Sequence, residues 1–143
     1  MTKETFTIDP NITNVLFLDD MEERHKAFVN RFGMNDKLRI WQVRTAGEAI
    51  HLLNRFNKHG WVFTQVFLDH DLSLEDIMCP PGGPSKVPTG MDVVDRICEL
   101  PLKSQPPAAF VHSMNEPAAA EMVRRLQAVS IPTRWVPFHL LVA

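Results

Sequence analysis

The chain has 143 residues, 45% hydrophobic and 22% charged, which suits one soluble domain with its own core and excludes a disordered polymer or a coiled coil. A net charge of −2 supplies no global basic field, so an extended nucleic-acid surface or an anionic membrane is not expected and any phosphate contact must be local. No apolar run approaches the ~18–20 residues that span a bilayer, and Met1-Thr2-Lys3-Glu4-Thr5 has no signal-peptide core, which points to the cytoplasm.

Short apolar runs alternate with segments of 3.6-residue periodicity, the pattern of buried parallel strands joined by helices. The first run, Val15-Leu16-Phe17-Leu18, predicts a strand. Met21, His25, Phe28, Val29 and Phe32 then fall on one face of a helix. A second strand over Leu38 to Val43 leads into Thr45-Ala46-Gly47-Glu48, whose Thr-x-x-Glu spacing is a capping box. The helix behind it carries Ala46, Ala49, Ile50, Leu53 and Phe56 on one side.

Val62 to Leu68 reads as the third strand and runs toward a proline-rich loop over 78–89, with Pro80, Pro81, Pro84 and Pro88. Thr89-Gly90-Met91-Asp92 restarts a helix that turns Met91, Val94, Ile97 and Cys98 inward. Ala108 to Val111 is the fourth strand, followed by a helix from about Asn115 with Pro117 in its first turn and Ala119, Met122, Val123 and Leu126 buried. Thr133 to Phe138 is the fifth strand. The two cysteines, Cys79 and Cys98, lack metal or disulfide spacing and read as free thiols.

Right-handed crossovers turn this order into a single α/β domain over 1–143, with its core at about 14–138. The architecture is a three-layer, doubly wound, five-stranded parallel sheet of order 2-1-3-4-5. A C-terminal helix is lacking, because only five residues follow Phe138. The sheet face near strand 5 is then either open to a protein partner or a second copy, or covered by the tail and the proline-rich loop.

Open parallel sheets bind ligands at the carboxyl ends of their strands. Strand 1 ends in Asp19-Asp20, strand 3 in Asp69-His70-Asp71, and strand 4 in His112-Ser113-Met114-Asn115. These strands are neighbours at about 4.8 Å spacing, so the groups share one edge. Carboxylates this close repel unless a cation neutralises them, and a hard divalent ion, Mg²⁺ or alternatively Mn²⁺, fits Asp19, Asp20 and Asp69 as ligands. Any one of these acids can instead cap a helix or face solvent. His70 and His112 are candidates for acid–base work. Ser113 and Asn115 precede a helix N-terminus that favours an anion, although Asn115 can serve as a plain cap. His25 is expected to support the site or pack in the core, and His51, His59 and His139 to lie on the surface.

An acidic pair after strand 1, an aspartate after strand 3 and a small hydroxyl residue after strand 4 resemble the receiver domains of two-component signalling. That resemblance implies a flavodoxin-like fold, Asp69 as phospho-acceptor and Ser113 as its hydroxyl partner. Receivers carry Lys-Pro at the end of strand 5, where this chain has Val136-Pro137. The chain is more similar to the receiver-like family of cyclic-phosphate-processing domains. The matching segments are Leu16 to Asp20 with Arg24-His25, Phe67 to Leu72, Thr89 to Asp92, His112 to Asn115 and Val136 to Phe138.

This second resemblance implies a metal-assisted phosphoesterase, a hydrolase of a cyclic phosphate in a nucleotide or at an RNA 2′,3′-cyclic phosphate end. On it, Asp19, Asp20 and Asp69 hold the metal, His70 and His112 act as base and acid, and Asp71 orients His70 or adds a ligand. Ser113, Asn115 and Arg24 hold the phosphate. The alternative is a degenerate, non-catalytic receiver that binds a nucleotide, a phosphate or a protein partner, and an authentic phospho-acceptor is a third reading.

Overall fold

The computed structural model describes residues 11–72 and 88–143. Nearly all of the proline-rich loop, and Cys79 with it, lies outside them. The strands β1 (Thr13–Leu18), β2 (Leu38–Val43), β3 (Gln65–Leu68), β4 (Ala109–Val111) and β5 (Thr133–Trp135) form one sheet in the order β2-β1-β3-β4-β5. Every pairing is parallel. The helices are α1 (Glu22–Phe32), α2 (Ala46–His59), α3 (Gly90–Glu99), α4 (Glu116–Ala128) and a single turn, α5 (Phe138–Leu141).

Local chemistry sets the helix starts. Thr45 caps α2 by accepting from the Glu48 N–H at 3.1 Å, while the Glu48 carboxylate accepts from the Thr45 N–H at 3.2 Å. The same reciprocal pattern opens α3: the Thr89 hydroxyl accepts from the Met91 N–H (3.1 Å), and Asp92 accepts from the Thr89 N–H (2.7 Å). Gly60, at φ +73°, ends α2 in the left-handed conformation that glycine adopts without cost.

Side-chain alternation along the strands splits the core between two faces of the sheet. Leu16, Leu18, Val66, Leu68 and Val111 pack with the inner faces of α2, α3 and α4. Val15, Phe17 and Phe67 point the other way and meet Phe28 of α1. Phe138, Leu141 and Val142 lie against this second cluster, and Arg31 of α1 donates to the Ala143 carbonyl at 3.3 Å. The tail therefore covers the face that the sequence left open, with one helical turn where a full final helix was expected to be missing.

Two strand boundaries and one helix face differ from the expectation. The fifth strand stops at Trp135, after which the Val136 N–H makes one more bond to Val111 (2.8 Å) and Pro137 has none to donate. The third begins at Gln65, because its pairing with β1 starts at Val15↔Gln65. In α1 only His25 and Phe28 are fully buried; Met21 and Val29 are exposed.

Candidate metal and phosphate site

Sheet register builds the site. Leu18 pairs with Leu68 and Leu68 with Val111, so the next residues, Asp19, Asp69 and His112, stand in one row across three adjacent strand ends. Period-two alternation puts all three on the face of Phe17 and Phe67, the one covered by α1 and α5. All three are buried, and their ligand atoms lie within 4.8 Å of one another.

Asp19 is fully engaged. Its Oδ1 accepts from the Met21 N–H (2.9 Å), and its Oδ2 accepts from His112 Nε2 (3.0 Å) and Arg24 Nη1 (3.2 Å). Burial pushes its carboxyl upward, but the hydrogen bonds from His112 and Met21 and the positive charge of Arg24 outweigh this and hold it below the ordinary value. Burial conversely lowers the basicity of His112, against the pull of Asp19. Its Nε2 donates to the Asp19 carboxylate, and Nδ1 has no partner among the described residues. Its ring stacks on Phe17 (centroids 5.2 Å apart) and tilts against Phe138 (5.8 Å).

Asp69 has the same chemistry and the opposite electrostatics. Among the described residues its Oδ1 accepts from the adjacent His70 N–H (2.8 Å), and Arg24 Nη1 lies 3.7 Å from its Oδ2. Burial, and then the negative charge of Asp19, push its carboxyl up to about 7. Arg24, on the first turn of α1, reaches both carboxylates and sits over the Phe138 ring at 5.4 Å.

His70 and His112 serve different carboxylates. His70 is partly exposed, and its Nδ1 lies 2.7 Å from Asp71 Oδ1. His112 is wholly buried with its Nε2 on Asp19. Asp20 is exposed at the rim, and its charge adds to the upward push on Asp69. Ser113 is buried and its Oγ accepts from the Asn115 N–H (3.1 Å), while Asn115 Oδ1 accepts from the Ala118 N–H (3.2 Å) and caps α4. His25 is buried under the site, donating from Nε2 to the Asp19 carbonyl (2.7 Å), with Nδ1 3.1 Å from the Gln42 amide. His51, His59 and His139 are exposed.

The donor set fits a hard cation through Asp19 and Asp69, with His112 as their support. Ligation through His112 Nε2 moves its proton to Nδ1, which has no acceptor among the described residues. Metal-bound histidines nearly always donate that second N–H. The Asp69 carboxyl, raised by burial and by the charge of Asp19, is the group an added positive charge relieves most.

Residues 14–128 match the family described as Cyclic-phosphate processing Receiver domain. The chain belongs to this family. Similar solved structures carry the same fold at low identity. The receiver domain of a LuxO repressor protein from Vibrio parahaemolyticus has 14% identity and a TM-score of 0.61, over 91% of this chain and 84% of that one. The HemR receiver domain from Leptospira biflexa has 22% identity and a TM-score of 0.57, over 87% and 81%. The Mn²⁺-bound form of the response regulator Rcp1 has 15% identity and a TM-score of 0.58, over 87% and 80%. No curated protein sequence matches the chain.

Three contributors to this receiver site were not singled out from the sequence. Gly90 gives its N–H to the His70 carbonyl (3.0 Å), and a Cβ there would lie 1.8 Å from the Asp69 carbonyl oxygen. Only glycine lets α3 close on the Asp69-His70 backbone. Trp135 donates from Nε1 to the Ser113 carbonyl (2.8 Å) and holds the β4–α4 turn. Gln42 orients His25. The glycine directly after a capping threonine was the one available signal, whereas the other two contacts join segments remote in sequence.

Proposed function

We propose that the strand-end site of this receiver-like domain binds a divalent cation, Mg²⁺ or Mn²⁺, and opens a cyclic phosphate ester of a nucleotide or an RNA end by adding water. The observation that carries this reading is the buried Asp19–Asp69 pair, with one carboxyl settled and the other raised to about 7, beside a partly exposed His70–Asp71 dyad. Asp19 and Asp69 would hold the ion, with Asp20 at the rim. Bound there, it supplies positive charge to the phosphoryl oxygens.

The chain's own residues do the rest. Asp71 accepts from His70 Nδ1 and fixes the tautomer, leaving Nε2 to take a proton from water. Water oxygen bonds to phosphorus, one ring P–O bond breaks, and the imidazolium returns the proton to the departing oxygen. One water has then been added across one bond. Ser113 and the α4 N-terminus favour the anion, since helix N-termini present unpaired N–H groups. His112 is assigned as a positioning residue that holds Asp19.

Incubation with Mg²⁺ or Mn²⁺ and a panel of cyclic nucleotides and 2′,3′-cyclic-phosphate oligonucleotides tests this. Turnover is expected, falling on the order of 10²–10⁴-fold in His70→Ala, the range for loss of a general base. Thermal stabilisation by these ligands without product supports instead a degenerate, non-catalytic receiver that binds them. No turnover with any of them overturns the hydrolase.

A further inference from the structure

Arg24 places a fixed positive charge in the site. Its Nη1 is 3.2 Å from Asp19 Oδ2 and 3.7 Å from Asp69 Oδ2, so it bridges the two oxygens that face each other across the pair. The other two oxygens each accept a backbone hydrogen bond, Asp19 Oδ1 from the Met21 N–H and Asp69 Oδ1 from the His70 N–H. A cation that bridges the two carboxylates therefore competes with Arg24 for the oxygens it reaches. Asp19 Oδ2 also keeps its bond from His112, which leaves it no room for an ion and a guanidinium together.

We propose that Arg24 and a divalent cation are alternative occupants of the Asp19–Asp69 pair. Arg24 is the pair's own counter-ion and sets its affinity for metal. Two features suit it to exchange. Its side chain is 23% exposed, against 0% for Asp19, so a path to solvent is open. Its guanidinium carbon also lies 5.4 Å from the centroid of the Phe138 ring, whose face attracts a cation independently of the carboxylates. An ion of charge +2 at the same place attracts both carboxylates twice as strongly as the guanidinium, so exchange is favourable once the ion is plentiful. Leaving the pocket also detaches the guanidinium from the two acids and frees its donors for an anion at the site mouth.

The inference rests on the cation-binding reading above. Its test is Mn²⁺ binding to the whole chain, followed by the electron paramagnetic resonance of the free ion. Wild type is compared with Arg24→Met, which keeps the stem and removes the charge, and Arg24→Lys, which keeps the charge. A pocket filled by Arg24 nine-tenths of the time has its apparent affinity cut about tenfold. Arg24→Met is therefore expected to bind Mn²⁺ about tenfold more tightly than wild type, and Arg24→Lys close to wild type.

A wild-type measurement stands beside it should a variant not fold. The Arg24 Nε–H resonance is expected to shift on titration with Mg²⁺ and to stay unmoved on addition of K⁺ at equal ionic strength. Equal Mn²⁺ binding by wild type and Arg24→Met, or an Arg24 resonance indifferent to saturating Mg²⁺, overturns the exchange and leaves the metal reading standing. No Mn²⁺ bound by either protein overturns both.

Discussion

The ends of β1 and β3 offer the same residue at the same register position, yet Asp19 and Asp69 behave as different acids. Among the described residues Asp19 receives three donors and lies below its ordinary pKa, whereas Asp69 receives one backbone N–H and is raised to about 7. Burial acts on both alike. What separates them is the number of described donors within reach and the charge of Asp19 beside Asp69. One acid is a structural anion, and the other stores unfavourable electrostatics that a proton or a cation can release.

The sharpest way to break this contrast is Asp19→Ala. It strips His112 and the Met21 N–H of their acceptor and should cost about 3–5 kcal/mol, the range for removing one partner of a buried pair. Urea unfolding at pH 7 measures it. The folded pKa of Asp19 is lowered, so its contribution is present above the unfolded value and fades as pH falls through the folded one. The gap between wild type and variant should therefore narrow in acid.

Asp69→Asn should act in the opposite direction. With a folded pKa of about 7 against an ordinary 3.8, the native state holds a proton that the unfolded chain has released, and stability declines as pH rises between the two values. The distance between those two values corresponds to at most about 4 kcal/mol. Melting curves should show Asp69→Asn more stable than wild type at pH 8 and nearly equal to it at pH 4. Saturating Mg²⁺ should shrink the difference at pH 8. If Asp19→Asn and Asp69→Asn shift stability alike at every pH, the two strand ends are equivalent and the contrast fails.

Smaller effects refine it. Gly90→Ala drives a methyl into the Asp69 carbonyl and should cost about 1–3 kcal/mol as overpacking. It should also weaken Mn²⁺ binding, because the backbone carrying Asp69 must move. Trp135→Phe removes the donor to the Ser113 carbonyl and should cost about 0.5–1.5 kcal/mol in denaturant unfolding. A loss at Gly90 no larger than that at Trp135 would show that the β3 end tolerates displacement.

Much of this was readable in advance where the signals are local. Strand runs such as Val15 to Leu18, the Thr45 and Thr89 capping boxes and the Asn115 cap depend on residues within one turn or one strand, so spacing reveals them. The gathering of Asp19, Asp69 and His112 at one edge followed from strand order. Their division of labour did not. The sequence suggested His70 and His112 as a pair, but the structure buries one under Phe138 and leaves the other with Asp71, an outcome set by which face the tail covers.

By itself, then, the sequence determined the alternation of strands and helices, the sheet order and the set of polar groups at its carboxyl edge, because periodicity, caps and crossover handedness are properties of short stretches of chain. Only the tertiary structure decided that Asp19 is satisfied and Asp69 is not, that Arg24 lies between them, and that His112 faces inward. Those outcomes depend on burial and on distances of a few ångströms between α1, three strand ends and the final turn, and electrostatic energies change steeply with both.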